Sequence, residues 1–279
     1  MSIPAAGGWT AAVTFLFLWL LGVTASARAH GELDMISAFA CQAAAYLLGL
    51  FGVLQVHAPR ASIRDLLGVR RTHAAFYPLA LALGFALEGP ITALYEAIER
   101  RWPSGGSDAD LVRLFTEASA PERVALGLIF IALGPVLEEV FFRGALARPL
   151  LRKHGAPLVI AATSALFAVA HLEWQKFLPI GLFGAALGVL RVASGSLVPP
   201  ILLHATYNAI QCFALVSAAS SGPETAAPVE ADAALAAVAP TPAWLVAAGS
   251  GCALGLIALA CVLGHRAEGA VRAREKDTP

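Results

Sequence analysis

The chain has 279 residues, of which 58% are apolar and 14% charged, with a formal net charge of zero and a mean hydropathy of +0.72. Soluble domains carry roughly 25% charged residues, so this composition excludes an ordinary soluble globular protein, and a neutral chain offers no electrostatic footing for nucleic acid. The expected class is all-α: a polytopic helix bundle in a lipid bilayer.

A membrane-spanning helix needs about 20 mostly apolar residues, and eight segments qualify: 9–27, 36–56, 76–98, 123–145, 156–173, 177–193, 197–218 and 243–264. The first ends in Ala25, Ser26, Ala27 and Ala29, as a cleaved signal peptide would, but no Lys or Arg precedes it, which favours a retained helix. Glu88 in the third span lies beside Gly89 and Pro90, a pair that predicts a kink or an interruption. In the connection 99–122, Ser107 is placed to cap an amphipathic helix over 111–118 that lies along the membrane surface. Ser119 and Glu122 then have the spacing of a capping box, which starts the fourth span.

Gly184 and Gly188 in the sixth span allow close approach of helix backbones. The connection 219–242 and the tail from 265 lack apolar periodicity and are expected to stay unfolded. Cys41, Cys212, Cys252 and Cys261 all fall within spans, without metal-ligand spacing, and read as small buried hydrophobes. These features divide the chain into N-terminal transmembrane helices with a surface segment (1–120), a core bearing the chemistry (121–218), and an acidic loop, last span and tail (219–279).

Lys and Arg accumulate in cytoplasmic loops. With both termini inside, the inner segments hold twelve of them: Arg60, Arg64, Arg70, Arg71, Arg148, Arg152, Lys153, Arg191, Arg266, Arg272, Arg274 and Lys276. The outer segments hold six: Arg28, Arg100, Arg101, Arg113, Arg123 and Lys176. The bias predicts both termini in the cytoplasm. The Ala- and Gly-rich usage points to a GC-rich bacterial genome, so the expected location is a bacterial cytoplasmic membrane.

Three polar groups break the apolar runs. A charge at the centre of a membrane helix costs about 2.5–3.5 kcal/mol on insertion scales, so such groups face a wet cavity or a partner. On the fourth span, Glu139 can pair with Arg143 one turn on, which leaves Glu138 about 100° round the helix and free for other work. On the fifth, His171 follows Phe167 by one turn and is placed to polarise a water beside Glu138, a general base. On the seventh, His204 and Asn208 share a face and offer two donors to a developing oxyanion. The set suffices for water-driven amide cleavage. The same residues also read as a Zn²⁺ site, with Glu138, His171 and His204 as candidate ligands and a position left for water, although no HExxH helix is present.

The runs EEVFFR, FAVAH and HATYN resemble the EExxxR, FxxxH and HxxxN motifs of the CPBP intramembrane proteases, a family that includes CAAX prenyl endopeptidases and bacteriocin-processing or self-immunity proteins. The resemblance covers roughly residues 120–215, with the motifs in the family's order. It implies a membrane endopeptidase acting on a protein or peptide substrate within the bilayer, CAAX-like C-terminal processing being one form. Glu138 and His171 would then activate water, His204 and Asn208 would bind the oxyanion, and Glu139, Arg143 and Phe167 would support them. It leaves the metal open. A non-enzymatic transporter or scaffold is the competing class, with the acids and histidines relaying protons or knitting helices.

One distance resists this scheme. Counted from Ala156 at the cytoplasmic face, His171 lies about 22 Å deep, whereas a fourth span ending near 145 leaves Glu138 only a few turns from that face. The two meet only if the fifth helix starts below the surface, or tilts, or the fourth continues past Arg148.

Overall fold

The computed structural model describes residues 1–28, 34–59, 62, 68, 71–103, 113–221 and 240–276. The expected cap at Ser107 and most of the acidic connection, 222–239, lie outside them. Helices occupy all eight expected positions: α1 (Ile3–Ser26), α2 (Met35–His57), α3 (Phe76–Arg101), α4 (Ala120–Leu151), α5 (Ala156–Val169), α6 (Trp174–Ser194), α7 (Val198–Ser221) and α8 (Ala243–Lys276). Among the described residues, six are long and apolar enough to cross a membrane. The exceptions are α5, only 14 residues long, and α7, whose apolar run is diluted by His204, Asn208 and Gln211.

Local chemistry sets these bounds. Glu122 Oε2 accepts from the Ser119 backbone N–H at 2.8 Å and from its hydroxyl at 2.6 Å, so α4 starts from the expected box. Pro90 does not interrupt α3, which runs unbroken from Phe76 to Arg101. The tail differs from expectation: α8 continues to Lys276. Extending a formed helix costs little per residue, and Ala, Arg, Glu and Lys are good helix formers. The cysteines divide. Cys41 and Cys212 are buried, whereas Cys252 and Cys261 are exposed, because α8 packs only one side against α3 and α6 and turns the other outward.

The helices alternate in direction and define two ends. At one end the Met1 ammonium donates to the Pro149 carbonyl at 3.0 Å, Trp9 Nε1 to His57 Nε2 at 3.0 Å and the Thr72 hydroxyl to the Ser194 carbonyl at 2.8 Å. At the other, Trp102 and Trp174 pack edge to face at 5.6 Å and Lys176 lies over the Tyr95 ring at 5.6 Å.

This geometry removes the difficulty of depth. The fourth helix does continue past Arg148, to Leu151. From there Glu138 lies thirteen residues back, about 20 Å, and His171 fifteen residues on from Ala156, about 22 Å, so the two are level.

Small residues set the closest contacts. A Cβ on Gly249 of α8 would stand 2.7 Å from the Ala86 carbonyl oxygen and 2.8 Å from Pro90 Cδ on α3. Backbone and a proline ring cannot yield as a flexible side chain would. Gly249→Ala should therefore lower stability by about 1–3 kcal/mol, as overpacking does; an unchanged unfolding temperature in detergent would contradict this contact.

Candidate active site

The site is built on α4, and α4 is not a uniform α-helix. Two segments, Ile129–Leu133 and Val140–Leu146, are π-helical and flank the turn Gly134–Glu139 that carries both glutamates. A π-turn inserts a residue into the ladder, and such insertions occur mostly at functional sites. Each also frees a backbone carbonyl. The Gly134 N–H, which an α-helix would give to Phe130, bonds the Ile129 carbonyl instead, and Pro135 has no N–H to give. The Phe130 carbonyl is taken by Asn208 Nδ2 at 2.9 Å. In the second segment the Ala147 N–H reaches back to Phe142, and the Arg143 carbonyl accepts from Arg191 Nε at 2.9 Å.

The two adjacent acids face different surroundings, as the helical spacing predicts. Glu139 and Arg143 are 0% exposed, and Glu139 Oε1 accepts from Arg143 Nη1 at 3.0 Å. The other end of the guanidinium donates to the Gly184 carbonyl at 2.9 Å, and the group lies over the Phe167 ring at 4.5 Å. Gly184 makes this approach possible: a Cβ there would meet Arg143 Nη2 at 3.1 Å and Phe167 Cδ1 at 3.2 Å. Glu139 Oε1 also receives His204 Nδ1 at 3.0 Å. That contact joins two of the motifs, and the sequence did not foretell it.

Glu138 points into a cavity of about 460 Å³ together with His171, His204 and Asn208. Its Oε2 lies 3.8 Å from His204 Nε2, and its Oε1 is 3.5 Å from Gln42 Nε2 on α2. His171 follows the end of α5, in a turn where Leu172 adopts φ 61°. That conformation is uncommon for a residue with a side chain and persists where surrounding structure imposes it. His171 Nδ1 is 2.8 Å from the Phe167 carbonyl. A carbonyl only accepts, so Nδ1 carries the proton and Nε2 keeps its lone pair. Phe167 is 1% exposed and packs edge to face on His171 at 4.8 Å and on His204 at 5.8 Å, holding both rings.

All four expected reactive side chains thus reach one cavity, from α4, the turn after α5, and α7. One difference concerns the donors. His204 Nδ1 is engaged by Glu139 and one Asn208 N–H by Phe130, so only His204 Nε2 and the second amide proton of Asn208 remain to meet a ligand. Tyr207 and Gln211 also line the cavity; they continue the face of His204 and Asn208 at i+3 and i+7, a signal already present in the helical repeat. Lys176, read from sequence only as a loop charge, lies on the wall as well. Glu88 is held by Thr92, whose hydroxyl donates to its Oε1 at 3.2 Å.

The Zn²⁺ reading requires three ligands converging on one point about 2.0–2.2 Å from each donor atom. Among the described residues no three His, Cys, Asp or Glu side chains are gathered in that way. Glu138, His171 and His204 as they stand do not fit a zinc ligand set.

Residues 120–210 match the model of the type II CAAX prenyl endopeptidase Rce1-like family, in agreement with the resemblance carried by the three motifs. The chain is 32% identical over 99 residues to an uncharacterized 24.3 kDa protein of Escherichia coli, an alignment covering 34% of this chain and 46% of that one. The chain thus spans less than half the length of this curated relative. No solved structure matches it.

Replacing Arg143 by Met leaves the Glu139 carboxylate buried without its cation. Removing one partner of a buried pair costs about 3–5 kcal/mol, so Arg143→Met should unfold at a distinctly lower temperature in detergent. A loss below about 1 kcal/mol, the worth of an exposed pair, would contradict this burial.

Proposed function

From a core segment that matches a CAAX-type endopeptidase family, we propose that the chain is an intramembrane endopeptidase of a bacterial cytoplasmic membrane. It hydrolyses a peptide bond of a protein segment that enters the cavity from the bilayer. The observation that supports this most is the convergence of Glu138, His171, His204 and Asn208 on one cavity inside a bundle of apolar helices.

The chemistry follows from the donors and acceptors. A water between Glu138 and His171 gives one hydrogen bond to the Glu138 carboxylate and the other to the lone pair of His171 Nε2, which aims its oxygen at a carbonyl. Glu138 takes the proton as the oxygen attacks, and the carbonyl electron pair moves onto the substrate oxygen. Asn208 donates its remaining N–H to that oxyanion. His204 donates from Nε2, which requires the ring to be doubly protonated, since Nδ1–H is already given to Glu139. Protonated Glu138 then passes its proton to the amide nitrogen as the C–N bond breaks, releasing an amine and a carboxylic acid, and the acid gives up the water's second proton to the amine, leaving a carboxylate and an ammonium.

Two outcomes test this reading. In cells making the wild-type chain or Glu138→Gln at equal abundance, peptide termini of membrane proteins should differ, with termini lost only in the variant. Unchanged termini together with Glu138-dependent solute flux would replace the endopeptidase by a transporter. On the substrate so identified, His204→Ala and Asn208→Ala should each lower turnover by roughly a hundredfold or more, as lost oxyanion donors do; a change in KM alone would remove them from that role.

The metal is tested separately. Cleavage by protein purified in the presence of a chelator should persist. Loss that is reversed by about one equivalent of zinc would show that the side chains rearrange around a metal.

A further inference from the structure

We infer that the cavity receives its substrate from the side of the membrane opposite the cytoplasm, so that it acts on exported or membrane-anchored polypeptide segments reached at the outer face, not on cytoplasmic tails. The word substrate rests on the endopeptidase reading. The sidedness rests on two independent observations, where the cavity opens and where the charges lie.

Exposure rises in one direction along the site. The side chains of Glu139 and Arg143 are 0% exposed, His204 5%, Glu138 14%, Lys176 20% and Glu173 36%. The closed end of this series continues into a sealed layer of Phe141, Phe142, Leu146, Leu187 and Leu190, all at 1% or less. The open end is the turn 170–173, where His171 is exposed and Leu172 and Trp174 are 58% and 60% exposed. The remaining wall agrees. Met35, Ala38 and Gln42 come from the first turns of α2, and Lys176 and Ile180 from the first turns of α6. Both helices begin at the end marked by the Trp102–Trp174 pair, opposite the end where Met1 meets Pro149.

The charges assign the two ends to the two sides. The sequence segments next to the helix ends on the Met1 side carry twelve Lys and Arg, of which Arg191 is buried within α6, against six next to those on the Trp102 side, and cytoplasmic loops hold the excess. The connection between α7 and α8 contains Glu224, Glu230 and Asp232 with no basic residue, and the helix ends that it joins lie toward the Trp102 end. The cavity therefore opens away from the basic face. A cytoplasmic chain would have to cross the sealed Phe–Leu layer and the buried Glu139–Arg143 pair to reach Glu138.

The test uses full-length protein in Escherichia coli cells, with Cys41, Cys212, Cys252 and Cys261 replaced by Ala and one cysteine introduced. Gln175→Cys places a thiol beside the open turn, and Lys153→Cys places one at the opposite end. A membrane-impermeant maleimide should label Gln175→Cys in intact cells and Lys153→Cys only after permeabilisation. The reverse pattern overturns the inference. Should the cysteine-free chain fail to accumulate, the wild-type chain fused at its C-terminus answers the same question: green fluorescent protein should fluoresce and alkaline phosphatase stay inactive, and the opposite result overturns the assignment. Neither readout depends on cleavage. The expected labelling with unchanged peptide termini in Glu138→Gln would remove the endopeptidase and keep the sidedness, and reversed labelling with intact cleavage would do the opposite.

Discussion

Everything in this site hangs on one oxygen atom. Glu139 Oε1 lies 3.0 Å from both Arg143 Nη1 and His204 Nδ1, with no solvent exposure at the carboxylate or the guanidinium. A charge buried so deeply is tolerable only when paired, and here the pairing ties three helices together. Arg143 reaches α6 through the Gly184 carbonyl, and His204 brings α7 to α4. The same carboxylate fixes which face His204 presents to the cavity. A structural ion pair and the orientation of a reactive imidazole are thus one arrangement, and a change to either partner reaches both.

The π-helical segments serve a related purpose. A regular helix keeps its carbonyls occupied and offers neighbours only side chains. By diverting the Gly134 and Ala147 N–H groups one residue back, α4 exposes the Phe130 and Arg143 carbonyls to Asn208 and Arg191. Pro135 makes the first opening permanent, since it has no N–H to refill it. Asn208 is therefore held by backbone, whose position does not depend on a rotamer. Rigid support of this kind keeps a reacting group near its productive geometry.

Much of this was legible in the sequence, because the relevant signals are local. Apolar runs located all eight helices, the Ser119–Glu122 spacing located the start of α4, and the i, i+4 rule separated Glu138 from Glu139 and paired the latter with Arg143. What was missed is contact between distant segments. Nothing in the spacing within α4 or α7 announces that Glu139 meets His204 across 65 positions, or that Gln42 approaches Glu138 across 96. The π-turns escaped for a different reason: they depend on which neighbour captures a carbonyl, and only Gly134–Pro135 left a trace of that in the residue order. The helical tail after 265 shows a third limit, since lack of an apolar stripe says that a segment does not pack, not that it is unhelical.

The central claim is that Glu138, His204 and Asn208 act on one reacting bond at one place. Side chains that form a single catalytic unit show strongly non-additive losses. The decisive measurement is the cleavage rate of Glu138→Gln, of His204→Ala with Asn208→Ala, and of all three changes together. The account predicts that the triple variant is no slower than Glu138→Gln alone. Losses that multiply across the three would place these residues in independent roles and contradict it.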